Sequence, residues 1–327
     1  MSKITRPDDR LLISMRKGIN RINYDKYTYR LLGRGGEGNV YEYHGHAIKV
    51  YRTDNRYDPE LVYHEIYVTD VLRDAGIQVV TIKEFDPIKA YAFSELYVND
   101  LDYWAKTACQ RNSAATEEQW MSMIFQVVYA FTMTNNLGVL HNDPKPKNIF
   151  YARSDNTVDY EYNKKKYSVN HNGYRFVLGD FSRSLIVGYD EYKHLPGSSS
   201  TGDLYGDLRN KTDLYELSRL LYRVIVNAVI KHYSGSEIRN RVSQIKDAEF
   251  QTRIKNVTTE IKNGMPAKLI DRTIDRAYAY ELVESDYLDY NSLSSRATDL
   301  VLPSEKVRKT LESVQRVTID ELFENIN

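Results

Sequence analysis

His141-Asn142-Asp143-Pro144-Lys145-Pro146-Lys147-Asn148 and the later triplet Asp180-Phe181-Ser182 decide how this chain reads. The first stretch spaces a histidine, an acid, a lysine and an amide as H-x-D-x-K-x-x-N, on one loop stiffened by prolines on both sides of Lys145. The triplet follows Phe176-Val177-Leu178 and Gly179, which places Asp180 at the end of an apolar strand. Asp180 and Asn148 offer oxygen ligands to a hard divalent cation, while Asp143 and Lys145 offer a proton acceptor and a positive charge. Alone, the loop also reads as a charged surface turn and Asp180 as a strand-end turn residue. Its surroundings favour the chemical reading. A helix precedes it, opened by Thr116-x-x-Gln119 as a capping box, with Trp120, Ile124, Val127 and Phe131 at helical spacing and an end near Gly138. Ile149-Phe150 follows.

The N-terminal part reads as strand, glycine turn, strand. Tyr29–Leu32 leads into Gly33-Arg34-Gly35-Gly36-Glu37-Gly38, then Asn39–Tyr43, a tight turn at His44-Gly45, and a strand His46-Ala47-Ile48-Lys49-Val50. G-x-G-x-x-G is a weak signal alone. A dinucleotide fingerprint would open a helix, whereas this one lies between two strands and is followed by Val40, so it is either a phosphate-covering loop or an ordinary hairpin turn. Asp58-Pro59 caps a helix running to about Leu72. In that helix Glu65 is in register with Leu61, Val68 and Leu72, on the buried face, where an unpaired charge is costly. Lys49, on an otherwise apolar strand, is its natural partner; the alternatives are a solvated strand-edge lysine and a glutamate at the edge of the apolar stripe. Two further strand-like runs lie near Val79–Ile82 and Ala90–Leu96.

Balanced charge, with 45 Lys+Arg against 45 Asp+Glu, gives no global basic field, so nucleic acid is an unfavoured partner. The 28 tyrosines read as amphipathic filler rather than as phosphorylation sites. The single Cys109 excludes an internal disulfide and suits a reducing, cytoplasmic setting. No signal peptide is expected, and no run approaches the roughly 20 apolar residues of a membrane span.

Taken together, these motifs resemble the eukaryotic-type protein kinase superfamily, in its Ser/Thr-like branch, over about residues 29–225. The resemblance implies an α+β, bilobal kinase-like fold: an extension over 1–28, a small antiparallel-sheet lobe over 29–98, and a larger helical lobe over 99–327. It implies an enzyme transferring the γ-phosphate of ATP, with Mg²⁺ or Mn²⁺, to Ser/Thr hydroxyls of protein substrates, and it sets no oligomeric state. By the resemblance, Gly33, Gly35, Gly36 and Gly38 cover the phosphates, while Val40 and Ala47 line the nucleotide pocket. Lys49, paired with Glu65, holds the α- and β-phosphates. Backbone groups near Glu95 and Leu96 meet adenine, with Ser94 small at the back. Asp143 takes or orients the hydroxyl proton, Lys145 neutralises the moving phosphate, and Asn148 and Asp180 bind the metal. His141 braces the loop. Asp213 would bond the catalytic-loop backbone, or else simply supplies charge at a helix start.

Three departures matter. The family's glycine after Asp-Phe is Ser182, with Gly179 expected to supply some of the lost freedom. The 31 residues between Asn148 and Asp180 suggest an inserted hairpin at about 151–175, turning at Asn163–Lys166. That lysine triplet reads as a solvated turn or as a dock for an acidic partner. No Ala-Pro-Glu follows; Ser198-Ser199-Ser200-Thr201-Gly202 stands there, in a loop over 196–206 before a helix faced by Leu214, Leu217, Leu221 and Val224. The compact glycine loop, insertion and divergent tail resemble kinases of large DNA viruses, which would place the chain in host cytoplasm or a virion. Competing readings are a small-molecule kinase of the aminoglycoside or choline type, which usually lacks a lysine at the position of Lys145, and a pseudokinase scaffold.

Overall fold

Period-2 alternation along His46–Tyr51 sorts this strand's side chains to opposite faces of a sheet, and a different helix covers each face. The computed structural model describes residues 5–19, 23–24, 27–53, 58–186, 212–285, 287, 300–314 and 317–326. Strands β1 (Asn23–Tyr24), β2 (Tyr27–Arg34), β3 (Gly38–Tyr43), β4 (His46–Tyr51), β5 (Ile82–Asp86) and β6 (Tyr91–Ser94) form an antiparallel sheet in the order β1-β2-β3-β4-β6-β5. The β3–β4 hairpin closes at His44 and Gly45, both at positive φ (49° and 73°), the geometry that matches the strand twist.

On one face Ile48 and Val50 join Tyr29, Tyr41, Tyr43, Tyr91 and Phe93 in a core sealed by Leu11, Leu12 and Met15 of α1 (Asp9–Arg16). Four of the ten residues in this cluster are tyrosines, which agrees with their reading as filler. The N-terminal stretch, expected only as an extension, therefore contributes a packed helix. Asp8 caps it by accepting from the Leu11 amide at 2.8 Å.

On the other face Tyr51, Ala90 and Ala92 pack against Val62 and Ile66 of α2 (Pro59–Asp74), which begins with the expected Asp58 cap and Pro59. Lys49 shares this face by alternation. The strand expected at 79–82 starts only at Ile82. The preceding residues pair elsewhere: the Leu178 amide donates to Gln78 O at 2.9 Å and the Val80 amide to Leu178 O at 2.8 Å.

Helix α3 (Leu101–Ala108) ends just before Cys109, which is buried, with its thiol pushed up to about 12 by burial, an inert setting. Helix α4 (Glu117–Asn136) has the expected capping box, and Trp120, Ile124, Val127 and Phe131 are all buried. Its buried Gln126 accepts from the Phe176 amide at 2.9 Å and donates to Tyr174 O at 3.0 Å, so a side-chain amide continues the strand's ladder.

Strand β7 (Asn99–Asp100) pairs with β9 (Ile149–Ser154), which pairs with β12 (Gly173–Leu178); β8 (Val139–Leu140) pairs with β13 (Leu185–Ile186). Between β9 and β12 in sequence lies a hairpin of β10 (Thr157–Tyr162) and β11 (Lys165–Asn170). It turns at Asn163 and Lys164, both at positive φ, so Lys165 and Lys166 belong to the returning strand. Lys165 and Tyr167 both donate to Asp320, each at 2.8 Å.

The remaining described elements are helical: Thr212–His232, Gly235–Gln244, Ala248–Gly264, Ala267–Glu284, Glu305–Ser313 and Ile319–Ile326. Leu221 and Val224 are buried, whereas the side chains of Leu214 and Leu217 and the loop 196–206 lie outside the described residues. The architecture is thus mixed, a small antiparallel sheet with a helical part, compatible with a kinase-like fold. The chain forms two units: residues Met1–Asp100, Phe125–Asn156 and Gly173–Asp213, and residues Leu101–Ile124, Thr157–Asn172 and Leu214–Asn327. No described helix is long and apolar enough to cross a membrane.

Candidate active site

Every residue of the candidate constellation falls in the first unit. Lys49 Nζ lies 2.9 Å from Glu65 Oε2, 3.3 Å from Asp180 Oδ1 and 3.2 Å from Glu37 Oε2. The Glu65 side chain is 9% exposed and also accepts from the Tyr51 hydroxyl at 3.0 Å. Burial works against the Lys49 cation, but Glu65, Tyr51, Asp180 and Glu37 outweigh it and hold its pKa well above the ordinary lysine value. Burial raises Glu65 despite Lys49. Burial also pushes Asp180 up, but Lys49 and Lys145 overcome it, so this carboxyl ends below its ordinary range. The carboxylate oxygens of Glu37, Glu65 and Asp180 lie within 4.8 Å of one another, with the Lys49 ammonium already serving as their counter-charge.

The loop that carries Asp143 is held by buried polar bonds. Asp213 accepts from the His141 amide at 2.6 Å and the Asn142 amide at 3.1 Å, although burial raises its pKa. That pair of bonds supports Asn142 at φ 59°, a left-handed conformation unusual outside glycine. His141 is fully buried, donates from Nε2 to Gly179 O at 3.0 Å, and lies against both Phe131 and Phe181, a bracing position. Asn142 Nδ2 donates to Arg183 O at 3.1 Å. Lys145 Nζ bonds Asp143 Oδ2. Asn148 Nδ2 donates to Asp143 O at 3.0 Å and Oδ2 at 3.2 Å, which leaves the amide oxygen as its metal-donor atom. The Gly179 amide donates to Asn148 O at 2.8 Å, joining the two halves of the constellation. With the Asp180 carboxylate, this oxygen set suits a hard cation such as Mg²⁺.

Asp180 itself sits at φ 63°. Gly179 is needed for space, since a Cβ there would stand 2.5 Å from Val80 Cγ2 and 2.9 Å from Phe150 Cε2. Ser182 is buried, and its hydroxyl reaches Glu37 Oε1 at 2.8 Å and Asp180 Oδ1 at 3.2 Å. His64 of α2 bonds Ser184 O at 2.8 Å and its hydroxyl at 3.0 Å, tying α2 to the segment after Asp180.

In the glycine-rich turn the Gly35 amide donates to Gly38 O at 2.8 Å. Gly35 and Gly36 are exposed and Gly33 is half-buried, whereas Gly38 is buried against the Val50 carbonyl. The residues on either side are clasped to the end of α1: Arg34 donates to Gly18 O at 2.8 Å, and buried Asn39 donates to Met15 O at 3.0 Å. Val40 is opposite Lys49 in the register, and Ala47 lies two residues before it, so all three share a face. The Glu95 amide donates to Thr81 O at 3.0 Å, and its carboxylate accepts from the Tyr97 hydroxyl and from Arg175. Tyr97 is pushed to about 12 by burial and Glu95.

Sequence reasoning missed Glu37 and Tyr51. Tyr51 was within reach of the period-2 rule, two residues after Lys49. The charged residue amid the glycines at Glu37 was a further signal.

No family model matches the chain. It is 30% identical over 138 residues, 38% of its length, to the serine/threonine-protein kinase PknH of Mycobacterium bovis, and equally to PknH of Mycobacterium tuberculosis. The chain spans about a fifth of the length of these curated relatives, 22% and 21%. The similarity supports a distant kinase relation. These relatives are bacterial and add nothing to the viral likeness.

Proposed function

We propose that this chain is an ATP-dependent protein kinase that phosphorylates Ser/Thr hydroxyls. One observation carries the reading: Lys49 stands within 3.3 Å of both Glu65 and Asp180, while Asp143, Lys145 and Asn148 are bonded to one another on a loop joined to Gly179. In this reading residues 29–98 are the small lobe and 99–327 the large one. Asp143 accepts or orients the attacking hydroxyl's proton. Lys145, shared with that carboxylate, supplies positive charge where the phosphoryl group moves. Glu65 and Tyr51 hold Lys49 in place to receive phosphate oxygens. Asp180 and Asn148 would hold Mg²⁺ (or Mn²⁺), which when bound neutralises phosphate charge. Lys145 favours protein over small-molecule substrates, in line with the serine/threonine kinase relatives.

The test is incubation of the purified chain with radiolabelled ATP, Mg²⁺ and casein or myelin basic protein. Phosphoserine or phosphothreonine should appear, and Asp143→Ala and Asp180→Ala should each abolish it. Undiminished transfer by Asp180→Ala would overturn the metal assignment. A thermal shift with ATP but no transfer would favour the scaffold reading.

A further inference from the structure

We propose that Glu37 is a specificity-determining residue of the nucleotide site: an internal carboxylate that stands against Lys49 until a phosphate displaces it. The inference rests on the kinase reading of the site. The Glu37 carbonyl accepts from the Arg52 amide at 2.8 Å, which anchors the glycine-rich turn at the end of β4. Its side chain reaches inward, with Oε2 at 3.2 Å from Lys49 Nζ and Oε1 accepting from Ser182 Oγ at 2.8 Å.

An ammonium has three hydrogens to give. Among the described residues, Lys49 faces three carboxylates: Glu65, Asp180 and Glu37. Glu65 and Asp180 have roles in the working site, so Glu37 is the partner a phosphate can replace. Both are anions, and they cannot share the same donor without repulsion.

Ser182 adds to the arrangement. Its hydroxyl has a single hydrogen within reach of two carboxylates, Glu37 at 2.8 Å and Asp180 at 3.2 Å. It can serve one at a time, and the shorter bond is to Glu37. Departure of Glu37 frees that hydrogen for Asp180. The glycine found here in the kinase pattern could make neither bond, so the contact exists only because this chain carries Ser182 together with Glu37.

The consequence is discrimination. A phosphorylated nucleotide must displace Glu37, whereas a nucleoside without phosphates need not. Calorimetry on the full chain should therefore show that Glu37→Gln binds ATP more tightly than wild type, by up to about fivefold for a partly exposed ion pair. Adenosine affinity should change by less than about twofold. ATP binding that is unchanged or weakened in Glu37→Gln overturns the proposal, as would an equal gain for adenosine. A second arm needs no nucleotide. Amide hydrogen exchange over residues 33–38 of the empty protein should quicken in both Glu37→Gln and Ser182→Ala, and unchanged exchange in both overturns the contact. If wild type binds neither ATP nor adenosine, the kinase reading fails, and the exchange arm still decides whether Glu37 holds the turn.

Discussion

The Tyr51 hydroxyl donates to Glu65 Oε2 at 3.0 Å, a buried bond that makes the Lys49–Glu65 pair a triad. Tyr51 is placed by the same alternation that places Lys49, and the Lys49 ammonium sits 4.9 Å from its ring centroid. Burial and Glu65 push the phenol well above its ordinary pKa, so it remains a donor across the working range. Tyr51→Phe keeps the ring but leaves a buried carboxylate oxygen without this donor. Stability should fall by about 1–3 kcal/mol in denaturant melts. Turnover should fall about tenfold, the equivalent of about 1.4 kcal/mol, as Glu65 loosens its hold on Lys49. A variant matching wild type in both would remove Tyr51 from the site.

Lys49→Met tests the charge balance through pH. Burial already raises Glu65 with Lys49 beside it, and removing the cation raises it further. The folded variant then binds a proton more readily than the unfolded chain does. Its stability falls as pH rises through the folded pKa of Glu65, and the penalty is relieved below it. The deficit against wild type should approach about 3 kcal/mol near neutral pH or above and shrink toward about pH 5. Thermal melts of both proteins across that range provide the check, and a deficit independent of pH contradicts the assignment.

What the sequence could reveal depended on the range of the forces involved. Glu65 was legible because Leu61, Val68 and Leu72 fix a helical register around it, and α4 because its stripe from Trp120 to Phe131 runs for about three turns. The loop at Asp143 was legible because its residues are close in sequence. Helix α1 was not, since Leu11, Leu12 and Met15 make too short a pattern to stand out, and only the tyrosine face of the sheet gives them a core. The Glu37–Ser182 bond joins residues 145 apart, and no local pattern encodes it. The strand expected at 79–82 failed because Leu178, distant in sequence, captured the backbone there.

Helix α1 should therefore be needed for folding. Leu12 is 1% exposed and packs in the tyrosine core, so Leu12→Ala should cost about 2–4 kcal/mol. The end of α1 also accepts from Arg34 and Asn39, on either side of the glycine-rich turn, so amide exchange in that turn should quicken as well. A variant with wild-type stability would show that the helix is dispensable.

Asp213 holds the backbone of the Asp143 loop through two amides, those of His141 and Asn142. Asp213→Ala removes both acceptors from a buried site and leaves Asn142 without support for its left-handed φ. The expected loss is about 2–4 kcal/mol, together with loss of phosphate transfer. Asp213→Asn keeps one carbonyl oxygen and should lose roughly half as much stability. Equal melting temperatures for the alanine variant and wild type would refute this role.

Gly38 and Gly36 are two residues apart in the same turn and should respond in opposite ways to one methyl group. A Cβ on Gly38 would stand 2.4 Å from Val50 O and 2.9 Å from Tyr51 Cα, both backbone atoms of the strand that carries Lys49. Relief requires β3 and β4 to separate beside the lysine. Gly38→Ala should therefore cost about 2 kcal/mol or more, and turnover should fall with it. A Cβ on Gly36 meets nothing within 4 Å, so Gly36→Ala should stay within about 0.5 kcal/mol of wild type. Denaturant melts of the two variants side by side make the comparison. Equal losses would mean that the turn is not packed against β4 as described, and the position of Lys49 would have to be reconsidered with it.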